Sequence, residues 1–185
     1  MAEIIPFDQR DGSLWLDGKI VPWREGKVHV LSHGLHFASC VFEGERMYSG
    51  RIYKLDEHTK RLFHSAEILG IKIPYTEDEI NRACYEAAEA QSIVDGYVRP
   101  VAFRAAQTMP TVSAQKAGVR VAIAVWPWPS YFDPAEKLKG IRLDISDWKR
   151  PAPDTAPTQA KAAGLYMICT MSKYAAEAKG YADAM

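Results

Sequence analysis

The sequence predicts an α+β fold with a complete small domain over residues 1–130 and the beginning of a larger domain over residues 140–185. Short strands, two helices and two long strands follow one another in the first part, as in an antiparallel sheet with helices on one face. Three prolines within residues 127–134 break this pattern, so residues 131–139 are interpreted as a linker. A strand and a helix follow the linker, and the second domain is therefore interpreted as incomplete.

Two hairpins are predicted in the first domain. In residues 15–21, apolar residues flank Asp17-Gly18, a dipeptide that favours a tight two-residue turn. Residues 28–35 are interpreted as extended and then irregular. Residues 42–55 form the second predicted hairpin, with its turn at Ser49-Gly50.

Two helices with distinct end signals follow the hairpins. The first is predicted to begin at an Asp56 cap and to end at Gly70. Its apolar face consists of Leu62, Phe63, Ala66 and Leu69. The second begins with a capping box formed by Thr76 and Glu79. Its apolar face consists of Ile80, Ala83, Cys84 and Ala87.

Two long strands complete the first domain. Residues 97–105 alternate between two faces, so Tyr97 and Arg99 lie on the same face. Residues 119–126 are almost continuously apolar, which predicts a central strand covered on both faces. Residues 107–118 between them form a long loop, of a length that is more often functional than idle.

The second domain is predicted to begin with a strand over residues 140–147 and a helix between Gly164 and Gly180. The apolar face of this strand consists of Ile141, Leu143 and Ile145. The chain ends at Met185, where a further strand is expected to begin. Because little of the chain is left to cover these apolar faces, we expect residues from about 137 onward to be poorly stable alone.

The composition is that of an ordinary soluble globular protein. Of the 185 residues, 48% are hydrophobic and 25% are charged, and the 23 basic residues balance the 23 acidic ones. Zero net charge argues against a nucleic-acid partner or an anionic membrane surface. The sequence contains no apolar run of membrane-spanning length and no signal peptide. Cys40, Cys84 and Cys169 are far apart and are interpreted as reduced, mostly buried thiols, which favours a cytoplasmic location.

Lys161 is the residue to which the chemistry of the sequence points. It lies at or just before the predicted helix N-terminus, where a positive charge is electrostatically unfavourable. Pro151, Pro153 and Pro157 lead rigidly to it, and small residues are expected to surround its amine. Schiff-base chemistry needs a neutral amine, which burial and nearby positive potential both favour. A lysine that simply points into water is the alternative.

Residues 161–166 read Lys-Ala-Ala-Gly-Leu-Tyr, and further segments precede them in a characteristic order. These are residues 27–37, Val41-Phe42-Glu43-Gly44, Arg61-Leu62, Tyr97-Val98-Arg99-Pro100, and Trp126-Pro127-Trp128 with Tyr131. Together they resemble the class IV pyridoxal-phosphate aminotransferases, in particular the branched-chain amino-acid aminotransferases. The resemblance covers almost the whole chain from about Trp15. Leu165 is a departure, because many members of the family carry asparagine there.

The resemblance implies the two-domain fold of the D-amino-acid and branched-chain aminotransferases. It also implies a transaminase that moves the amino group of leucine, isoleucine or valine to 2-oxoglutarate through pyridoxal 5'-phosphate. D-amino-acid aminotransferase and aminodeoxychorismate lyase are the rivals within class IV, and residues 97–99 with 126–128 favour the branched-chain type. A truncated or non-catalytic chain of the same fold is a further alternative, because other cofactor-binding groups of the family lie beyond the lysine segment.

The resemblance assigns roles to individual residues. Lys161 binds the cofactor aldehyde as a Schiff base and shuttles a proton, Arg61 binds the cofactor phosphate, and Tyr166 reaches the cofactor phenolate. For Arg61 a solvated helix arginine is the alternative. Tyr97 contacts the substrate α-carboxylate, and Arg99 the side-chain carboxylate of glutamate, unless a buried carboxylate pairs with Arg99 instead. The other implied substrate-binding residues are Phe37, Phe42, Trp128 and Tyr131.

Phe37 stands where relatives often carry tyrosine, which leaves the amino acceptor open. His29, His33 and His36 are interpreted as structural histidines, so no metal site is predicted. Asp144 and Asp147 are assigned no chemistry. The implied partners are amino-acid and 2-oxo-acid substrates and a second copy of the chain, in a homodimer or a higher homo-oligomer.

Overall fold

The computed structural model describes residues 5–106, 111–128 and 138–185. Most of the predicted linker lies outside the described residues. The strands are β1 (Ser13–Leu16), β2 (Lys19–Pro22), β3 (Cys40–Phe42), β4 (Glu45–Tyr48), β5 (Arg51–Ile52), β6 (Gly96–Arg104), β7 (Val119–Trp126), β8 (Leu143–Asp144) and β9 (Asp183–Ala184). The helices are α1 (His33–His36), α2 (Leu55–Ile68), α3 (Glu77–Glu89) and α4 (Tyr166–Ala178), with short 3-10 turns at Phe7–Gln9, Trp23–Glu25 and Ala163–Leu165.

Strands β1 to β7 form one antiparallel sheet. Their order is β2-β1-β7-β6-β4-β5, and β3 also pairs with β6. Strand β6 therefore has β7 along one side and both β3 and β4 along the other. Between β3 and β4, the Glu43 N–H donates to the Pro100 carbonyl at 2.9 Å. This interruption positions several residues of the candidate site.

Both predicted hairpin turns are confirmed. Asp17 and Gly18 have φ angles of 47° and 92°, and Ser49 and Gly50 have φ angles of 47° and 78°. Two successive positive φ angles are typical of the turn that matches the twist of a tight hairpin. The second hairpin is shorter than predicted, because Phe42 belongs to β3 and pairs with β6.

The capping box of α3 is confirmed, whereas the predicted Asp56 cap of α2 is wrong. Thr76 Oγ1 accepts from the Glu79 N–H at 3.3 Å, and the Glu79 carboxylate accepts from the Thr76 N–H at 2.7 Å. Helix α2 begins at Leu55, and the residue before it, Lys54, has a left-handed φ of 52°. Asp56 lies inside the first turn, where its charge stabilises the helix N-terminus without capping it.

Helices α2 and α3 pack on one face of the sheet, as predicted. The residues of this core that solvent does not reach include Leu62, Ile80, Val98, Val121, Ile123 and Val125.

The prediction that β7 is covered on both faces is wrong. Ala122 and Ala124 point away from the core and line a cavity on the other face. Because alanine is small and apolar, the sequence of β7 resembles that of a strand buried on both faces.

Residues 138–185 contain a second sheet of two strands. The predicted strand over residues 140–147 is too long, because only Leu143 and Asp144 pair in β8. Strands β8 and β9 pair in parallel, and Gly180 follows α4 with a φ of 79°. Ala176 is the buried residue of α4, whereas Met167 and Tyr174 are 68% and 64% exposed. The apolar strand residues are also exposed, at 50% for Ile141 and 70% for Ile145. Within the described residues, no helix combines the length and apolar composition needed to cross a membrane.

Limited proteolysis of the 185-residue chain should cleave first between residues 130 and 140 or within residues 151–160. The physical reason is that the segments around β8 and α4 bury little apolar surface, so their opening costs little free energy. Mass spectrometry of a digestion time course should show a persistent fragment close to residues 1–130. A protease-resistant monomer that extends through Met185 would contradict both this result and the predicted domain boundary.

Candidate active site

The loop that carries Lys161 is attached to strand β3 and helix α2. The Lys161 N–H donates to Ser65 Oγ of α2 at 2.9 Å, and the Lys161 carbonyl accepts from the Phe42 N–H at 3.3 Å. The next residue, Ala162, forms an antiparallel bridge with Val41. Lys161 thus precedes the 3-10 turn that leads into α4, near the predicted place, and its backbone is held from two sides.

The Lys161 amine lies between two aromatic rings. Its Nζ is 4.9 Å from the ring centres of both Phe42 and Tyr166, and it donates a hydrogen bond to the Tyr166 hydroxyl. The two rings are themselves 4.8 Å apart. The expectation of small residues around the amine is therefore wrong, since the neighbouring alanines flank the backbone instead. The rings and the hydroxyl give the amine a fixed direction.

Phe42 connects the lysine with the predicted substrate residues. The guanidinium carbon of Arg99 is 4.8 Å from the Phe42 ring centre, and Arg99 Nη2 donates to the Tyr97 hydroxyl at 2.9 Å. The Tyr97 ring is in turn 4.9 Å from the Trp128 ring. These contacts place Lys161, Phe42, Arg99, Tyr97 and Trp128 in one row, which we call the lysine–tryptophan row.

Arg99 has unused donor capacity. Its Nε is buried and has no hydrogen-bond partner within the described residues. No carboxylate pairs with Arg99 in that part of the chain, so the structure offers it no buried acidic partner there. Because burying an unpaired polar group is costly, this arginine is suited to an anionic ligand.

A cavity of about 610 Å³ lies at the tryptophan end of the row. Its wall includes Arg99, Phe103, Ala122, Ala124, Trp126 and Trp128. The volume falls in the range of roughly 300–1,000 Å³ that is usual for small-molecule sites. Glycine is required at position 44, because a Cβ there would lie 1.9 Å from the Tyr97 hydroxyl oxygen.

A second cavity, of about 280 Å³, lies beside the lysine and has Arg61 on its wall together with Lys161 and Tyr166. The Arg61 guanidinium is paired with Glu43: Nε donates to Oε1 at 2.6 Å and Nη2 donates to Oε2 at 2.7 Å. His58 Nδ1 lies 2.8 Å from Oε2 of the same carboxylate. The Glu43 side chain is 0% exposed, whereas that of Arg61 is 51% exposed.

Glu43 is ionised in this arrangement. Burial alone would raise the pKa of Glu43, but hydrogen bonds and charges from Arg61 and His58 outweigh it and hold that pKa below its usual value. The hydrogen bond with Glu43 raises the pKa of Arg61 in turn. The pair therefore remains charged across the physiological pH range.

Two predicted substrate-binding residues, Phe37 and Tyr131, are not part of the lysine–tryptophan row. Phe37 packs on His33 and His36, with ring centres 4.7 and 4.4 Å away. Tyr131 lies outside the described residues. The prediction that residues 28–35 end irregularly is wrong from His33 onward, where helix α1 begins. Among the described residues, no three histidine, cysteine or acidic side chains come together as a metal site.

The comparison with known families decides the identity of the fold. The profile of the family described as Amino-transferase class IV matches residues 40–185. The chain belongs to the class IV aminotransferases. The family predicted from the motifs is thereby confirmed.

This class IV aminotransferase is 38% identical to a probable branched-chain-amino-acid aminotransferase of Rickettsia conorii, over 98% of this chain and 61% of that relative. It superposes with a TM-score of 0.90 on the T.th. branched-chain amino acid aminotransferase with pyridoxamine 5'-phosphate, at 34% identity over 95% of this chain and 59% of that chain. The branched-chain aminotransferase of the archaeon Thermoproteus uzoniensis with norvaline gives a TM-score of 0.87 at 34% identity, over 95% of this chain and 59% of that chain. The predicted fold class is confirmed, and the chain spans less than two thirds of the length of these relatives.

Sequence reasoning missed two buried carboxylates of this class IV aminotransferase. Glu43 belongs to one of the motifs, but the sequence predicts no role for it. Glu45 is 0% exposed, and neither of its carboxyl oxygens has a hydrogen-bond partner within the described residues. The available signal was two glutamates, two positions apart, at the start of the predicted hairpin over residues 42–55.

Proposed function

We propose that the chain is part of an enzyme that transfers the amino group of leucine, isoleucine or valine to 2-oxoglutarate, with pyridoxal 5'-phosphate on Lys161. The lysine–tryptophan row carries this proposal, because it leads from a fixed lysine amine to an apolar cavity with Arg99 on its wall. The similarity to branched-chain aminotransferases of other organisms supports it.

The residues around Lys161 fit this cofactor. The cavity beside the amine carries Arg61 on its wall, and the Nη1 of Arg61 makes no hydrogen bond within the described residues. When bound, pyridoxal 5'-phosphate supplies an aldehyde carbon and a ring that takes up electrons from the substrate. Lys161 Nζ is the amine that would hold the aldehyde carbon, and it would carry the proton of the substrate Cα. The Tyr166 hydroxyl would hold the ring oxygen, and Arg61 would hold the phosphate.

The substrate end of the row suits both kinds of side chain that the reaction requires. Ala122, Ala124 and Trp126 offer an apolar wall to leucine, isoleucine or valine. The Tyr97 hydroxyl and the Arg99 guanidinium, 2.9 Å apart, offer donors to the carboxylates of glutamate and 2-oxoglutarate.

An assay of amino transfer tests the proposal. The purified protein is incubated with pyridoxal 5'-phosphate, 2-oxoglutarate and one amino donor, and glutamate formation is measured. We expect leucine, isoleucine and valine to be the preferred donors. Preference for D-alanine, or release of pyruvate from aminodeoxychorismate, would favour the rival class IV activities. Failure to bind the cofactor at all would favour a truncated or non-catalytic chain.

We propose further that the enzyme is cytoplasmic and that it assembles as a homodimer or a higher homo-oligomer. A cytoplasmic enzyme would meet its amino-acid and 2-oxo-acid substrates directly, and three separated free cysteines suit that compartment. The expectation that these thiols are mostly buried is wrong, because Cys40 is half-buried and Cys169 is exposed. A homodimer or a higher homo-oligomer would cover apolar surface that residues 138–185 leave exposed. Sedimentation of the purified protein measures this assembly directly.

The Arg99→Ala variant should lose catalytic efficiency with glutamate and 2-oxoglutarate far more than with leucine or isoleucine. A side-chain carboxylate gains a charge-assisted hydrogen bond from Arg99, worth roughly 1.5–3 kcal/mol, whereas an apolar side chain gains none. Steady-state kinetics with each substrate measures the difference. Arg120→Ala, which removes a surface arginine paired with Asp17, is the control. Equal losses for both substrate types would show that Arg99 supports the structure or binds the α-carboxylate.

A further inference from the structure

The Arg61–Glu43 pair has a geometry that a solvated arginine lacks. Glu43 occupies the edge of the guanidinium formed by Nε and Nη2, at 2.6 and 2.7 Å. On the other edge, Nη1 makes no hydrogen bond within the described residues, and Nη2 lies 3.4 Å from His58 Nδ1. Arg61 is on the wall of the 280 Å³ cavity. A planar guanidinium held along one edge has its opposite edge fixed in direction.

Glu43 is itself held rigidly. Its carboxylate also accepts from the Gly44 N–H at 3.2 Å, and His58 Nδ1 lies 2.8 Å from it. Its backbone N–H donates to the Pro100 carbonyl at the interruption between β3 and β4. The fully buried Glu43 carboxylate, between β3 and β4, therefore fixes the orientation of the half-exposed Arg61 side chain.

Charge alone would disfavour a carboxylate at this place. Glu43 offsets the positive charge of Arg61, so its presence lowers the attraction of the pair for an anion. An arginine side chain loses roughly 2 kcal/mol of rotamer freedom when it is immobilised, and a partner that fixes it beforehand removes that cost from ligand binding. If the orientation of Arg61 dominates, removal of Glu43 should weaken binding of an anion. If charge dominates, the same removal should strengthen it, so a binding measurement distinguishes the two effects.

We propose that Glu43 is a positioning residue that directs the free edge of Arg61 toward a phosphate monoester in the cavity beside Lys161. This inference rests on the proposed function, because the phosphate monoester is that of pyridoxal 5'-phosphate. Glu43 does not touch the ligand. It acts through Arg61, and His58 and the Gly44 N–H keep it in place.

The test compares two ligands that differ by the phosphate alone, pyridoxal 5'-phosphate and pyridoxal. Absorbance titration of the purified apo protein gives the dissociation constant of each. Glu43→Gln removes the charge and keeps the size, whereas Glu43→Asp keeps the charge and shortens the reach. Glu67→Gln, which changes an exposed glutamate on helix α2, controls for the change in net charge. The thermal unfolding midpoint of every variant verifies its fold.

Both Glu43 variants should bind pyridoxal 5'-phosphate about tenfold more weakly, because Arg61 loses its charge-assisted bonds to Glu43. Their affinity for pyridoxal should equal that of the wild type, and Glu67→Gln should change neither constant. Unchanged or tighter binding of pyridoxal 5'-phosphate by Glu43→Gln would overturn the inference. Equal losses for both ligands, or failure of both Glu43 variants to fold, would show a merely structural role and would also overturn it.

The wild type separates failure of the inference from failure of the proposed function. A wild type that prefers pyridoxal 5'-phosphate to pyridoxal, combined with unaltered Glu43 variants, removes the role of Glu43 and leaves the proposed function standing. A wild type that binds neither ligand, or binds both equally, shows that Arg61 forms no phosphate site. That result overturns the inference and the cofactor assignment together.

Discussion

The Lys161→Ala variant should lose all covalent attachment of the cofactor. The Lys161 amine lies against the Phe42 and Tyr166 rings and donates to the Tyr166 hydroxyl, and its backbone is tied to Ser65. A nearby lysine cannot replace it, because the amine must reach the aldehyde from this fixed position. Borohydride reduction followed by intact-mass measurement should show a cofactor adduct on the wild type and none on the variant.

Lys60→Ala is the matched control for this experiment, since Lys60 is an exposed lysine next to Arg61 on helix α2. It should retain the full adduct. An adduct of undiminished yield on Lys161→Ala, or amino transfer at the parent rate, would remove the basis of the assignment. Loss of the adduct in both variants would point to a general effect of lysine removal.

The Glu45→Gln variant should be considerably more stable than the wild type at alkaline pH. Burial, and to a lesser extent the charge of Glu43, raise the pKa of Glu45 from 4.5 to about 8, while Arg61 opposes this rise. At a pH between 4.5 and about 8, the Glu45 carboxyl is protonated in the folded protein but ionised in the unfolded chain. Folding stability is therefore greatest below the unfolded pKa, and it falls as the pH rises toward the folded pKa.

From this shift, the wild type should lose roughly 3–4 kcal/mol of stability through Glu45 between about pH 5 and pH 8. Glutamine has no charge to bury, so the variant should match the wild type near pH 5 and exceed it by about this amount near pH 8. Urea unfolding at both pH values measures the difference. Glu86→Gln, which changes an exposed glutamate on α3, should show no such divergence. Parallel pH profiles for Glu45→Gln and the wild type would show that Glu45 is ionised when folded.

Local patterns predicted those parts of the fold that local forces decide. The turn at Asp17-Gly18 and the capping box at Thr76 are set by residues within one turn of each other. The alternation of side chains along β6 is sufficient to predict that Tyr97 and Arg99 lie on one face, without any tertiary contact. The same rule could not show that Phe42 belongs to a separate strand, because the pairing of β3 with β6 is a long-range contact.

The parts that escaped prediction depend on neighbours remote in sequence. Lys54 adopts a left-handed conformation that its own side chain does not favour, so the start of α2 could not be located from capping preferences. Ala122 looks equally suitable for a core and for the wall of a cavity. Glu43 received no role, because its partners Arg61 and His58 come from a helix that follows it in the chain.

The hydrogen bond between the Phe42 N–H and the Lys161 carbonyl bears on the order of folding. It closes a long loop of chain, and the contacts that Lys161 and Ala162 form with β3 and α2 must offset the conformational entropy that this closure costs. All strands of the large sheet precede Lys161 in the sequence, so a ribosome releases the complete sheet before it releases the lysine segment. The 610 Å³ cavity can therefore form before the lysine segment joins it. If Lys161 binds the cofactor as proposed, cofactor attachment would follow the completion of the sheet.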